Sequence, residues 1–553
     1  MAKTITYEME IEGMTCHDCE VHVSQALERI GASTVRASFQ RGEAVFVAPL
    51  DFSFDQARKA VAQAGYHPRG IRELTEGDGS QFTSMAGVDY DLVIIGSGSA
   101  AFAAAIEARG AGATVAMVER GTIGGTCVNV GCVPSKTLLR ASEIYHAARY
   151  PGFHGLGTRA GAPDLAQLVN EKDALVQTLR QQKYEDLLAE YDIQWVPGEA
   201  RFIDDRRIQV GERTITAGRY IIATGARPRI PDIPGLDEAS YLTSTTALDL
   251  TMRPDRLIVI GSGYIALELG QLFRRWGAQV TLIQRGRALM PSYDADVRSV
   301  IHAAIEDAGI ELISPAAYER VERHGSEVMV HLTVDKARRV VQGDALLVAA
   351  GRTPNTEALQ LQYAGIDVGD HGEPLVDATL QTHNPRVYAA GDVTLGPQFV
   401  YVAAYEGKIA ARNALGLAGR PQSLDLDVVP AVTFTQPGLA QVGLTETRAR
   451  QMGLAVKTSV LPLAAVPRAL ANRDTRGIIK WVAEADSGRL RGAQVVAENA
   501  GEVIYAATLA VKHGLRVHDL TETLAPYLTM AEGLKLAALT FEQDVNKLSC
   551  CAG

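Results

Sequence analysis

Residues 91–120 read DLVIIGSGSAAFAAAIEARGAGATVAMVER, and residues 256–285 read RLIVIGSGYIALELGQLFRRWGAQVTLIQR. Each stretch opens on an apolar strand and turns through Gly-x-Gly-x-x-Ala into a helix with small residues near its start. Each closes on a second apolar strand, and the position ending that strand lies 23 residues after the first glycine in both copies. One such motif is a weak signal, but two with equal spacing argue for two dinucleotide-binding units. In the first copy Gly96 makes the tight turn, and Gly98 lets backbone N–H groups approach a pyrophosphate. Ala101 keeps the helix close to the sheet, and Glu119 offers a carboxylate to ribose hydroxyls. In the second copy Gly261, Gly263 and Ala266 repeat the turn, but Gln284 stands where the first has Glu119, and Arg285 and Arg287 follow. A carboxylate there would repel a 2′-phosphate, whereas guanidinium groups bind one in a fork, so the pattern favours NADPH over NADH. The plainer alternatives are a glycine-rich structural turn with a solvated Glu119, and two surface arginines beside an NADH site.

Working outward, the strand–helix alternation from Asp89 onward implies parallel sheets. At 553 residues the chain is too long for one core and calls for several domains. With 47% hydrophobic and 21% charged residues the composition is that of a soluble globular protein. A net charge of −10 argues against a nucleic-acid partner. No apolar run reaches the roughly 18 residues of a membrane span, and MAKTITYEMEIEGM lacks the apolar core of a signal peptide. The expectation is a cytoplasmic enzyme with no stable membrane association.

All six cysteines fall into close pairs: Cys16/Cys19, Cys127/Cys132 and Cys550/Cys551. In a reducing compartment such pairs are usually catalytic or metal-binding. Residues 1–72 read as a small βαββαβ unit, with alternating Ile5, Tyr7, Met9 and Ile11 on its first strand and Cys16 and Cys19 in the loop after it. Residues 73–88, polar and glycine-containing, read as a linker. The remaining boundaries are set at 89–240 and 361–425 for the first nucleotide-binding domain, 241–360 for the second, 426–546 for a C-terminal domain and 547–553 for a tail.

Between the two copies, residues 124–136 read GGTCVNVGCVPSK, and here the chain resembles the pyridine nucleotide–disulfide oxidoreductase family. The resemblance, covering residues 89–545, implies an α/β fold with two Rossmann-like dinucleotide-binding domains, an α+β dimerisation domain, FAD and NADPH as cofactors, and a homodimer. It implies that Cys127 meets substrate and Cys132 contacts the flavin, with Lys136 near the isoalloxazine and Glu268 as the lysine's partner. Gly121 and Thr126 would flank the flavin, Ala200 in GEARF would meet the adenine end, Asp392 in YAAGDV would hold ribityl or phosphate groups, and Val400 would lie close to the flavin. Tyr264 would gate the nicotinamide. Read without the family, the Cys127/Cys132 spacing also suits a structural disulfide or a metal pair, Tyr264 suits packing, and Asp392 suits a turn.

One departure matters. Disulfide reductases of this family carry a His-Pro pair whose histidine protonates the leaving thiol. The corresponding segment here is TLAPYLTMAEG, in which Ala525 precedes Pro526 and Tyr527 follows. Alanine cannot shuttle a proton. The pattern is similar to the branch of the family whose substrate is Hg(II), a soft cation matched by paired thiolates. That branch implies Hg(II) arriving as a thiolate complex, Tyr264 and Tyr527 lining the site, and Cys550/Cys551 as a mobile carrier. GMTCHDC, holding Cys16 and Cys19, resembles the heavy-metal-associated motif and implies a ferredoxin-like metal-binding domain. A thiol–disulfide reductase whose C-terminal pair carries electrons is the competing reading.

Overall fold

The computed structural model describes residues 4–39, 42–49, 52–73 and 83–544. The chain divides after Thr83 into two units. The first is the expected βαββαβ sandwich: β1 (Thr4–Glu12), α1 (His17–Glu28), β2 (Ser33–Ser38), β3 (Glu43–Pro49), α2 (Phe54–Gln63) and β4 (His67–Glu73). Its antiparallel sheet runs β2-β3-β1-β4. Strand period and helix period agree on one core: Met9, Ile11 and Phe46 from the sheet meet Val23, Leu27, Ala57 and Val61 from the helices. Ser53 caps α2 by accepting from the Gln56 amide.

In the second unit the first repeat forms β5 (Tyr90–Ile95), α3 (Ser99–Gly110) and β6 (Val115–Glu119). The sheet continues through β7 (Arg213–Ile222), which pairs in parallel with β5 on one side and with Val387–Ala389 on the other. Residues beyond 360 thus return to the first nucleotide-binding domain. Ser84 and Met85, inside the stretch read as linker, are tied to Asp91: the Met85 amide donates to its carboxylate at 2.6 Å and the Ser84 hydroxyl at 3.0 Å.

The second repeat forms β8 (Arg256–Ile260), α6 (Tyr264–Arg275) and β9 (Gln279–Ile283), in a parallel sheet completed by Ile310–Ile313 and Ala345–Val348. The C-terminal domain is a five-stranded antiparallel sheet covered by the helix Ala500–Lys512. A cluster around buried Lys480 ties it to the second nucleotide-binding domain: Lys480, 2% exposed, donates to Asp296 at 2.8 Å and Glu446 at 2.9 Å. Asp294 accepts from the Thr447 amide at 3.0 Å and the Gln494 carboxamide at 2.6 Å. No helix among the described residues is long and apolar enough to cross a membrane.

Candidate active site

The two glycine turns are built alike. Gly96 and Gly261 hold φ near +112° and +119°, and a Cβ on either would sit 2.2 Å from a carbonyl oxygen, that of Ala223 or Ala349. Only glycine serves there. Ala101 and Ala266 are fully buried against their sheets. The caps of α3 and α6 are Gly98 and Gly263, both extended and with no side chain bonding the first amides. Two helix N-termini are therefore left with free N–H groups and positive dipole ends, the donor set a pyrophosphate needs. Glu119 accepts from Ser97 Oγ at 2.8 Å and from the Gly121 amide at 2.7 Å. Ser262 donates to Gln284 in the same way, so the second copy keeps the bond and loses the charge. Arg285 and Arg287 are exposed beyond it.

The residues at the first site fit a flavin dinucleotide on a further observation. Thr224 Oγ1 and Arg352 Nε are buried and have no hydrogen-bond partner among the described residues. Such groups normally find one. Thr224 is the middle residue of the strand-end turn Ala223-Thr224-Gly225 beside Gly96, and Arg352 Nε stands 3.5 Å from the Asp392 carboxylate. Burial pushes the Asp392 carboxyl up, with Arg352 opposing. Ala200 is buried on its short strand, and Val400 opens α7 (Val400–Leu415) partly exposed.

The cysteine segment folds as two helices, α4 (Gly125–Val130) and α5 (Cys132–Arg149), hinged at Gly131. A Cβ on Gly125 would lie 2.6 Å from the Gly98 Cα, so this segment can press onto the first dinucleotide turn only as glycine. Thr126 packs under Gly131. Cys127 and Cys132 are half-buried free thiols. The hydrogen bond donated by Cys127, helped by the Lys136 charge and opposed by burial, brings Cys132 down to about 7. The same bond and burial push Cys127 far up. Cys132, at the N-terminus of α5, is thus the more acidic of the two, and Cys127 the one that keeps its proton longer.

One turn along α5, Lys136 Nζ lies 2.5 Å from Glu268 Oε2 and 4.6 Å over the Phe434 ring. Glu268, 5% exposed, also accepts from the Phe434 amide at 2.8 Å. Tyr264 sits one turn before Glu268 on the same face of α6. Burial pushes its hydroxyl up, and its ring meets Phe399 at 6.3 Å, which in turn stacks on Tyr401 at 5.4 Å. The structure thus brings Lys136 and Glu268 of the predicted set together one turn from Cys132, with Tyr264 one turn from Glu268, and Asp392 to the end of the first sheet. Tyr527 stands apart on the C-terminal domain surface, about half exposed. Cys550 and Cys551 lie outside the described residues.

Sequence reading missed Glu406. It is 2% exposed on α7, accepts from the Gly391 amide at 2.6 Å, and is pushed up to about 7 by burial and by Asp392. The signal was available as a lone carboxylate in an otherwise apolar helix face. Arg352 was missed for lack of any local motif.

In the first unit Cys16 caps α1 and Cys19 lies one turn in, with the sulfurs 3.1 Å apart. The Thr15 amide donates to Cys19 Sγ at 3.4 Å. That bond, then those from Cys16 and Tyr66, bring Cys19 down to about 6. Tyr66 is correspondingly raised to about 12, its hydroxyl held by the thiolate. Among the described residues no three His, Cys, Asp or Glu side chains converge on one point. A two-thiolate ligand set of this kind suits a linear soft cation and not a tetrahedral zinc.

Comparison with known proteins agrees with this geometry. Residues 90–407 match the pyridine nucleotide-disulphide oxidoreductase family and residues 429–538 its dimerisation domain. The chain is 56% identical over 548 residues to a mercuric reductase of Staphylococcus aureus, covering 99% of each chain. It is 54% identical over 550 residues to one of Lysinibacillus sphaericus, covering 99% of this chain and 100% of that one. Among solved structures it is similar to a HOCl-induced flavoprotein disulfide reductase of Escherichia coli. The TM-score is 0.73 and the identity 32%, over 81% of this chain and 99% of that one.

Proposed function

This chain belongs to the pyridine nucleotide–disulphide oxidoreductase family, and from that premise we propose how its residues carry out the NADPH-dependent reduction of Hg(II) to Hg(0). FAD and NADPH are the cofactors, and when bound they supply the two electrons the metal takes up. The glycine turn at Gly96, Gly98 and Ala101, with Glu119, Gly121, Thr126, Ala200, Asp392 and Val400, would hold FAD. The turn at Gly261, Gly263 and Ala266, with Arg285 and Arg287, would hold NADPH. The dimerisation domain makes the enzyme a homodimer.

The observation that carries the reading is the Cys127/Cys132 pair one helical turn from the Lys136–Glu268 ion pair, with alanine at the position where a disulfide reductase needs its acid. A metal held between two sulfurs needs thiolates and a way to exchange them, and no proton donor for a leaving thiol. Cys127 presents its sulfur to the incoming metal, and as its Hg–S bond forms one carrier thiolate leaves with the Cys127 proton. Cys132 supplies the second bond and displaces the other carrier thiolate. Lys136 holds positive charge next to both, and Glu268 keeps the ammonium in place. The Tyr264 ring, backed by Phe399, closes the nicotinamide side and Tyr527 of the partner protomer the other. Hg(II) enters as a thiolate complex and passes by ligand exchange from Cys16/Cys19 to Cys550/Cys551 and on to Cys127/Cys132. The cytoplasm, where NADPH is made and thiols stay reduced, is the compartment this chemistry needs.

The test is mercury-dependent NADPH oxidation with excess small thiol and trapping of volatile mercury. Cys132→Ala is expected to keep FAD and lose turnover. Turnover with a protein or small disulfide instead of Hg(II) would move the chain to the thiol–disulfide reductase reading.

A further inference from the structure

Beside the Cys16/Cys19 loop, between α2 and β4, lies a hollow of about 420 Å³ whose lining includes Arg58, Lys59, Ala62, Tyr66, His67 and Arg69. We propose that this hollow recognises the carboxylates of a small anionic thiol, so that Hg(II) bound to two such thiols is held there while it exchanges onto Cys19 and Cys16. The proposal rests on the reading of Cys16/Cys19 as a metal carrier and names the form in which the metal arrives.

Three observations carry it. The hollow falls in the size range of small-molecule sites, roughly 300–1,000 Å³. Its charged lining is basic: Arg58 and Lys59 project from α2, and Arg69 and His67 come from β4. The acidic groups nearby are Glu12, Asp55 and, between the two cysteines, Asp18, whose charge reaches Tyr66. Glu12 pairs with Arg69 at 2.7 Å, with both side chains about 60% exposed, and such a pair exchanges readily with another carboxylate. Asp55 lies in the first turn of α2, one turn before Arg58 and Lys59. Finally, the walls of the hollow touch the metal loop at two points. Tyr66 lines it and donates its hydroxyl to Cys19. The His67 ring lies 3.8 Å from where a Cβ on Gly13 would stand, in the turn leading to Cys16.

The electrostatics give the hollow a task. A metal complex of two carboxylate-bearing thiols is itself anionic, and the cations beside the loop attract it and orient it for exchange. In the first exchange Cys19 sulfur bonds to Hg and one small thiolate leaves. In the second, Cys16 sulfur bonds, the other small thiolate leaves, and the Cys16 proton goes with it. The metal stays Hg(II) throughout and no electron is transferred.

The experiment uses the full chain with Cys127, Cys132, Cys550 and Cys551 replaced by serine, so that only Cys16 and Cys19 take metal. Transfer is followed by mercury–thiolate absorbance from Hg(II) complexed either with glutathione, an anionic thiol, or with 2-mercaptoethanol, a neutral one. Arg58→Gln with Lys59→Gln is expected to slow transfer from the glutathione complex by about five- to tenfold, given two exposed charge contacts. Transfer from the 2-mercaptoethanol complex should be unchanged, and added salt should shrink the difference. Equal slowing with both complexes, or none with either, overturns the anion site while leaving the carrier pair intact. Failure of the unsubstituted Cys16/Cys19 pair to take metal from either complex overturns the carrier reading and this one with it.

Discussion

Replacing Lys136 by methionine tests the charge arrangement around the redox pair. Lys136 follows Cys132 by one helical turn on α5, which puts the two side chains about 5–6 Å apart at Cβ. At an effective dielectric constant of about 20, a unit charge at about 6 Å is worth roughly 3 kcal/mol, or about a hundredfold in the acidity of the thiol. Glu268, with its carboxylate 2.5 Å from the ammonium, opposes Lys136 at Cys132 as the smaller of the two influences, leaving a net gain of about tenfold. Lys136→Met removes the favourable charge and leaves the unfavourable one. Cys132 should therefore rise from about 7 by about two pH units, to the upper edge of the ordinary thiol range. Glu268→Gln should move it the other way, by less. The assay is the pH dependence of alkylation of the reduced, FAD-loaded enzyme, with Cys16, Cys19, Cys550 and Cys551 replaced by serine. At neutral pH the Lys136→Met enzyme should alkylate more slowly by about fivefold at the least. If both variants move the inflection in the same direction, or neither moves it, the reasoning fails. The hydrogen bond from Cys127 would then set the thiolate by itself.

Three further outcomes follow from the site. Glu406 is raised on folding from 4.5 to about 7, so the folded chain holds its proton more tightly than the unfolded one. Its contribution to stability is full below about pH 4.5 and is lost as pH rises toward about 7, on the order of 3 kcal/mol in all. Glu406→Gln should remove that slope in the temperature at which FAD fluorescence is released. A constant offset between the two proteins at all pH values would count against it. Gly261→Ala, which sets a methyl 2.2 Å from the Ala349 oxygen, should raise the KM for NADPH by more than about tenfold with FAD content unchanged, and an unchanged KM would show that the turn can relax. Tyr66→Phe removes one of the hydrogen bonds that lower the Cys19 thiol. The thiol should move up from about 6 without reaching the ordinary range, measured by thiolate absorbance in a chain that keeps Cys16 and has Cys127, Cys132, Cys550 and Cys551 replaced by serine. No movement would mean that the Thr15 amide and Cys16 suffice.

Much of this protein was written in short stretches. A dinucleotide turn is a local object: glycine at positive φ, a second glycine for close approach and an alanine against the sheet fall within 30 residues, so Gly96 and Gly261 could be recognised before any fold was known. The cysteine pairs were legible for the same reason, since two sulfurs three or five residues apart on a loop or helix start are neighbours in any fold. The alternation of Ile5, Tyr7, Met9 and Ile11 found the first strand because one face of that sheet is buried and the other is not. Lys136 and Glu268, 132 residues apart in the chain, were paired only through family resemblance. What tertiary structure alone decided are the groups whose chemistry depends on burial and on distant partners. Glu406 reads as an ordinary helix glutamate until packing strips its water and sets it against Gly391 and Asp392. Tyr66 looks like a core residue until the sheet brings its hydroxyl to Cys19, 47 positions earlier. Periodicity reports which face of an element is apolar. It does not report which polar atom on another element will meet it there, and desolvation, which sets the pKa of a buried acid or thiol, exists only once the chain has closed around it.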